Sequence, residues 1–183
     1  WLYHSNLERY VRPLPFVVVM PDGGTSFWMN AGERERYEDF VIQDLDEHVR
    51  RTFHIAPGKV GIGGLSMGGY GAMRYALRYP ERFGSAWAHS GAYFTREEFA
   101  QRGFANEDAD LRAIAETCDP GSLGVISFDC GRDDFLIEHN RNLHRFLTER
   151  GIKHDYYEHE GAHTWEYWDL HVREALAQHV RVL

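Results

Sequence analysis

The chain has 183 residues, 43% of them hydrophobic and 14% aromatic, enough for one domain with a real core and too few to expect two. A formal charge of -8 leaves no basic face for nucleic acid or polyphosphate, whereas small neutral or cationic substrates stay open. Two cysteines, Cys118 and Cys130, give neither a disulfide framework nor zinc-knuckle spacing, and no apolar run reaches the roughly 18–20 residues of a membrane span.

In chain order, Phe16 to Met20 is a short apolar run between prolines, which predicts a strand buried on both faces, ended by the loop Pro21-Asp22-Gly23-Gly24. From Glu33 to Phe53, Tyr37, Val41, Leu45 and Val49 recur among charges and predict an amphipathic helix with one core stripe. Pro57-Gly58 stops it and admits a second strand over 59–63. A helix is predicted over 68–79, where small residues allow close approach to a sheet and Pro80 ends the run. A third strand is predicted over 85–89. The polar stretch 92–120, with a helix around Leu111, Ile114 and Ala115, reads as a variable insertion over the site.

A fourth strand over 123–130, a helix over 138–150 burying Leu143, Phe146 and Leu147, and a fifth strand over 154–158 follow. Trp165, Trp168, Val172, Leu176 and Val180 mark a closing helix. Strands alternating with helices imply an α/β fold whose mostly parallel sheet carries helices on both faces. Ligands then bind beyond the carboxyl ends of the strands, on loops 21–30, 64–68, 90–96, 131–137 and 160–165.

Between the second strand and its helix the sequence reads GGLSMGGYGAM, which sets Ser66 in the G-x-S-x-G pattern of a nucleophile elbow. So sharp a turn leaves no room for side chains two positions either side of the serine, and Gly64 and Gly68 stand there. A bare glycine-rich turn is the competing reading, and the rest of the chain decides between them. A serine hydroxyl needs a base to take its proton and an acid to orient that base. Gly131-Arg132-Asp133-Asp134 follows the fourth strand and Gly161-Ala162-His163 the fifth, in the order serine, acid, histidine.

Of eleven histidines, only His163 stands on a glycine-led loop in that order. His89 falls within a strand and reads as a hydrogen-bonded core residue, whereas His48, His54, His139, His144, His171 and His179 fall on helices or their ends and are expected to be solvated. His159 and His163 are four apart, but a strand-to-loop junction would not set them side by side, so no metal site is expected. Among the acids, Asp129 lies inside the strand, and Asp134 is favoured over Asp133. Thr25, Ser26, Phe27 and Trp28, with Leu136 and Trp165, are placed to line a substrate cleft.

These residues resemble the α/β-hydrolase esterases that include tributyrin esterases, feruloyl esterases and S-formylglutathione hydrolase. The likeness is carried by Val18-Val19-Met20-Pro21-Asp22-Gly23-Gly24, Gly64 to Gly71, Cys130 to Leu136 and Gly161 to Trp168, and covers nearly the whole chain. It implies a single α/β-hydrolase catalytic domain over 1–183, an acid three residues after the strand-ending glycine (Asp134), and no cofactor. It also implies strands upstream of Trp1 and a His-Gly loop donating one oxyanion-hole N–H beside that of Met67. The sequence starts after them, so a fragment of a longer esterase is expected, with an unpaired side on the 16–20 strand.

The expected activity is therefore hydrolysis of a small-molecule ester, with no nucleic-acid or membrane partner. Short aliphatic, acetyl-sugar, hydroxycinnamoyl and thioester substrates all stay open. Acyl transfer to an alcohol on the same scaffold, and a noncatalytic binding module, are the rival readings. No signal peptide stands out and a cytoplasmic setting is the default, although a start at Trp1 hides any leader.

Overall fold

The computed structural model describes residues 1–32 and 35–183. A short helix, α1 (Leu7–Val11), opens the chain and packs Leu7 against the last helix. Phe16 to Met20 is not a strand, and Val17, Val18, Val19 and Met20 are exposed. This corrects the sequence expectation, and the reason is a missing ladder. An apolar run becomes a strand only where another backbone lies within hydrogen-bonding reach, and the sheet among the described residues begins further along the chain.

An antiparallel pair of two-residue strands, β1 (Asn30–Ala31) and β2 (Glu35–Arg36), precedes α2 (Tyr37–Asp39), a π-helical stretch Phe40–Leu45 and α3 (Asp46–Thr52). The expected 33–53 helix thus starts at Tyr37, and its Glu33 lies outside the described residues. Its expected stripe of Tyr37, Val41, Leu45 and Val49 is only half-buried. Glu38 and Ile42, four positions apart on one helix face, go inside instead. Glu38 is buried because Arg74 meets it at 2.9 Å.

The main sheet follows. β3 (Val60–Leu65) leads into α4 (Met67–Arg78) and then β4 (Phe83–His89). Two short helices, α5 (Arg96–Gln101) and α6 (Leu111–Thr117), occupy the polar stretch, started by the Thr95–Glu98 capping box and by Asp110. β5 (Val125–Gly131), α7 (Ile137–Glu149), β6 (Asp155–His159) and α8 (Trp165–Val182) complete the alternation. All three pairings in the order β3-β4-β5-β6 are parallel.

The two faces of this sheet differ in chemistry. On one, Ala86, Ala88, Ile126 and Phe128 join Met73, Ala76 and Leu77 of α4 and Leu143 and Leu147 of α7 in the main apolar core. On the other, α8 meets serines and charges. Gln178 bonds Ser85 at 3.1 Å and accepts from Ser127, and His179 lies 2.8 Å from Ser85. His171 is buried too. The expectation of solvated helix histidines therefore fails for His171 and His179, because α8 packs a polar stripe against a polar sheet face.

Candidate active site

Three loops that leave the carboxyl ends of β3, β5 and β6 converge, as expected at the binding edge of a parallel sheet. Ser66 sits between the last residue of β3 and the first of α4 with φ +52° and ψ −116°, a conformation uncommon for a residue with a side chain. Its amide is held by the His89 carbonyl at 2.9 Å, and its carbonyl accepts from Ala92 at 3.1 Å. A Cβ on Gly64 would run into the backbone of Gly68, so the first glycine of the pattern is required sterically. The second is not, because a Cβ on Gly68 would meet open space. The expectation of equal crowding on both sides of the serine is corrected accordingly.

His163 Nε2 lies 3.1 Å from Ser66 Oγ, and His163 Nδ1 lies 2.8 Å from Asp134 Oδ2. The other Asp134 oxygen accepts the Leu136 amide at 2.8 Å. Burial alone would raise the Asp134 carboxyl; hydrogen bonds from His163, the Leu136 amide and Ser90 outweigh it and hold the group below its ordinary value. Neighbouring Asp133 is exposed, and its amide donates to the Gly161 carbonyl at 2.9 Å. The structure thus brings Ser66, Asp134 and His163 into one hydrogen-bonded row. Met67 opens α4, so its N–H is among the amides that a helix start leaves unpaired.

The expected cleft residues have mixed placements. Phe27, at φ +49°, packs its ring on Tyr70, Phe94, Phe99 and Phe104. Trp28 is half-buried, its Nε1 is buried without a partner among the described residues, and its carbonyl accepts from Tyr75. Leu136 is 2% exposed and serves Asp134 through its amide rather than presenting a side chain to a cleft. Trp165 stacks on His4 and meets Trp1 and Trp168 edge-on.

Three residues that sequence reasoning passed over also touch the row. Phe135, 74% exposed, lays its ring 4.6 Å from that of His163. Trp168 meets His163 edge-on at 4.7 Å and donates its Nε1–H to Ser90 Oγ at 3.1 Å. Ser90, at φ +48°, is fully buried and is one of the polar groups that hold the Asp134 carboxyl low. Position directly after a strand end was the one signal that could have singled out Ser90.

A parallel sheet with helices on both faces and a Ser–His–Asp row at its carboxyl edge defines an α/β hydrolase. Comparison with known proteins narrows the class: residues 2–179 match the Esterase family, and the chain belongs to that family. An acetyl esterase of Caldicellulosiruptor saccharolyticus is 32% identical over 96% of this chain and 76% of its own length. Among solved structures, S-formylglutathione hydrolase of Staphylococcus aureus superposes with a TM-score of 0.82 at 22% identity, covering 98% of this chain and 77% of that one. A ferulic acid esterase gives 0.81 at 21%, covering 97% and 76%. The activity class is carboxylic ester hydrolysis.

Proposed function

We propose that the chain is a serine esterase acting through Ser66, His163 and Asp134 by way of an acyl-enzyme, on short-chain acyl esters with acetyl esters foremost. The observation that carries this is the unbroken row from Asp134 through His163 to Ser66, at 2.8 Å and 3.1 Å. His163 Nε2 takes the Ser66 proton as Oγ attacks the ester carbonyl. The carbonyl oxygen then carries the charge and accepts from the Met67 N–H. His163 returns the proton to the leaving alkoxide, which departs as the alcohol. Water, deprotonated by His163, next attacks the acyl carbon, and the proton returns to Ser66 as the carboxylic acid leaves. Asp134 orients the ring and stabilises its imidazolium form.

The backbone at Ser66, which projects Oγ from a sharp strand-to-helix turn, supports its reading as a nucleophile elbow. Preference for acetyl esters draws on the name of the relative that matches 96% of the chain. Exposed Phe135 beside His163 offers an apolar wall to the substrate.

The test is intact mass after fluorophosphonate treatment, for the chain and for Ser66→Ala, with p-nitrophenyl acetate turnover measured alongside. One adduct and turnover that both vanish in the variant are expected. Labelling or turnover that survives Ser66→Ala overturns Ser66 as nucleophile.

A further inference from the structure

Behind the catalytic row, where β6 ends, three metal-ligating side chains converge that the esterase chemistry does not use. His159 is the last residue of β6, and α8 passes over it with His171 and Glu174, three positions apart and so on one helix face. The two imidazoles stack with centroids 4.0 Å apart and planes 13° from parallel. The Glu174 carboxylate spans both, with Oε1 3.0 Å from His171 Nδ1 and Oε2 3.7 Å from His159 Nε2. All three donor atoms lie within 4.8 Å of one another.

Ligand atoms around a tetrahedral ion with bonds of about 2.0–2.1 Å stand about 3.4 Å apart. The two measured separations lie either side of that spacing, each to a different carboxylate oxygen, so binding also requires both ring nitrogens to turn toward one of them. A second, independent observation is that His159 Nε2 is buried and has no hydrogen-bond partner among the described residues. At 3.7 Å from Glu174 it is beyond a hydrogen bond. A buried, unsatisfied ring nitrogen costs stability, and a cation between it and the carboxylate would use its lone pair.

We propose that His159, His171 and Glu174 bind one Zn²⁺ ion, with water completing a tetrahedral shell. Two imidazole nitrogens and one carboxylate oxygen form a donor set that suits zinc, whereas magnesium and calcium call for oxygen shells. Because each ring's lone pair lies in the ring plane, binding must fan the stacked imidazoles apart, a rotation about the soft terminal torsion. Glu174 is 43% exposed, which gives the ion a path from solvent.

Such an ion would sit four residues before His163. The backbone there is tied to the Asp134 loop through Arg132 N–H to His159 O and Asp133 N–H to Gly161 O, both 2.9 Å. Zinc would therefore clamp the two loops that carry Asp134 and His163 to α8. It would raise thermal stability by mass action.

The experiment is titration calorimetry of the EDTA-treated chain with zinc sulfate, with melting temperature followed in parallel. One zinc per chain and a rise in Tm are expected. Glu174→Gln, at an exposed position, and His159→Gln should each weaken binding by at least roughly 10- to 100-fold. His144→Gln, which removes a ring of the separate His144–His154 pair, should leave it unchanged. The proposal is overturned if the wild-type chain shows no saturable one-to-one binding, or if binding persists undiminished in both Glu174→Gln and His159→Gln. A loss in His144→Gln equal to that in Glu174→Gln would move the ion to the other histidine pair and overturn it as well.

Discussion

Two aspartate–histidine pairs of similar geometry lie around the end of β5. Asp129 holds His89 at 2.6 Å, and Asp134 holds His163 at 2.8 Å. The first is sealed: Asp129 also accepts from Trp87 Nε1 at 2.6 Å and from the Tyr167 hydroxyl at 2.7 Å, and both members are buried. The second is open, because the far nitrogen of a partly exposed His163 reaches Ser66. In both, burial pushes the carboxyl up and is outweighed: the charge of His89 and then hydrogen bonds from His89, Trp87 and Tyr167 hold Asp129 below its ordinary value, and chiefly hydrogen bonds hold Asp134 there. Position separates them. Asp129 points from a central strand into the α8 face, whereas Asp134 stands beyond Gly131, on a loop that can meet the chain after β6. An identical pair of side chains is sealed as a buried brace in one place and, under the proposed mechanism, is free to act as orienter and base in the other.

Breaking each pair should therefore give opposite results. Ser66→Ala or His163→Ala should lower kcat on p-nitrophenyl acetate by about 10⁴- to 10⁶-fold and move the urea midpoint little. Asp129→Ala should cost about 3–5 kcal/mol of stability, since it leaves Trp87, His89 and Tyr167 buried without their acceptor. Its folded fraction should retain kcat within a few-fold. Were Asp129→Ala to fold normally yet lose turnover, the division between brace and catalytic pair would be wrong.

The sealed side should also govern the acid response. His179 lies on the same polar face, and burial, with the nearby His89 adding to it, pushes its pKa down to about 4. In the unfolded chain it titrates near about 6.5, so the unfolded state binds the extra proton between those values. Its stabilising effect is complete above the unfolded pKa and is lost as pH falls toward 4. The cost between pH 7 and pH 5 is about 2 kcal/mol. Urea unfolding at both pH values, repeated on His179→Gln, should show that slope flattened in the variant. An unchanged slope would shift the acid sensitivity to other groups.

Why one pair was legible in the sequence and the other was not follows from the same geometry. Ser66, Asp134 and His163 sit where glycines and strand ends punctuate the chain, and local pattern reveals such places. His89 was readable as a hydrogen-bonded core residue, but its partner 40 positions away on a neighbouring strand was not, since register across a sheet leaves no local trace. The alternation of elements gave the parallel sheet, with strand bounds displaced by one or two residues. Phe16 to Met20 misled because its composition suits a strand whether or not a ladder partner lies beside it. His171 and His179 misled because helical periodicity assigns polar side chains to water, and here α8 turns a polar stripe inward.

Ser90 joins the two pairs and offers the finest test of the comparison. Its amide donates to the Asp129 carbonyl at 2.7 Å, while its hydroxyl accepts from Trp168 and helps to hold the Asp134 carboxyl below its ordinary value. Ser90→Ala keeps the first contact and removes the others, so the open pair should suffer alone. One hydrogen bond to a charged group is worth about 1.5–3 kcal/mol, and part of that should appear as a roughly tenfold fall in kcat with KM unchanged. The sign of the pH effect follows from the lost donor. Without it the Asp134 carboxyl rises toward its ordinary value and takes up a proton at higher pH, so activity should fall away earlier on acidification. A variant that only loosened packing would lower Tm and leave that limb in place. An unmoved acid limb in Ser90→Ala would therefore reduce Ser90 to filler between the two pairs, whereas a moved limb with an intact fold would make it a positioning residue for Asp134.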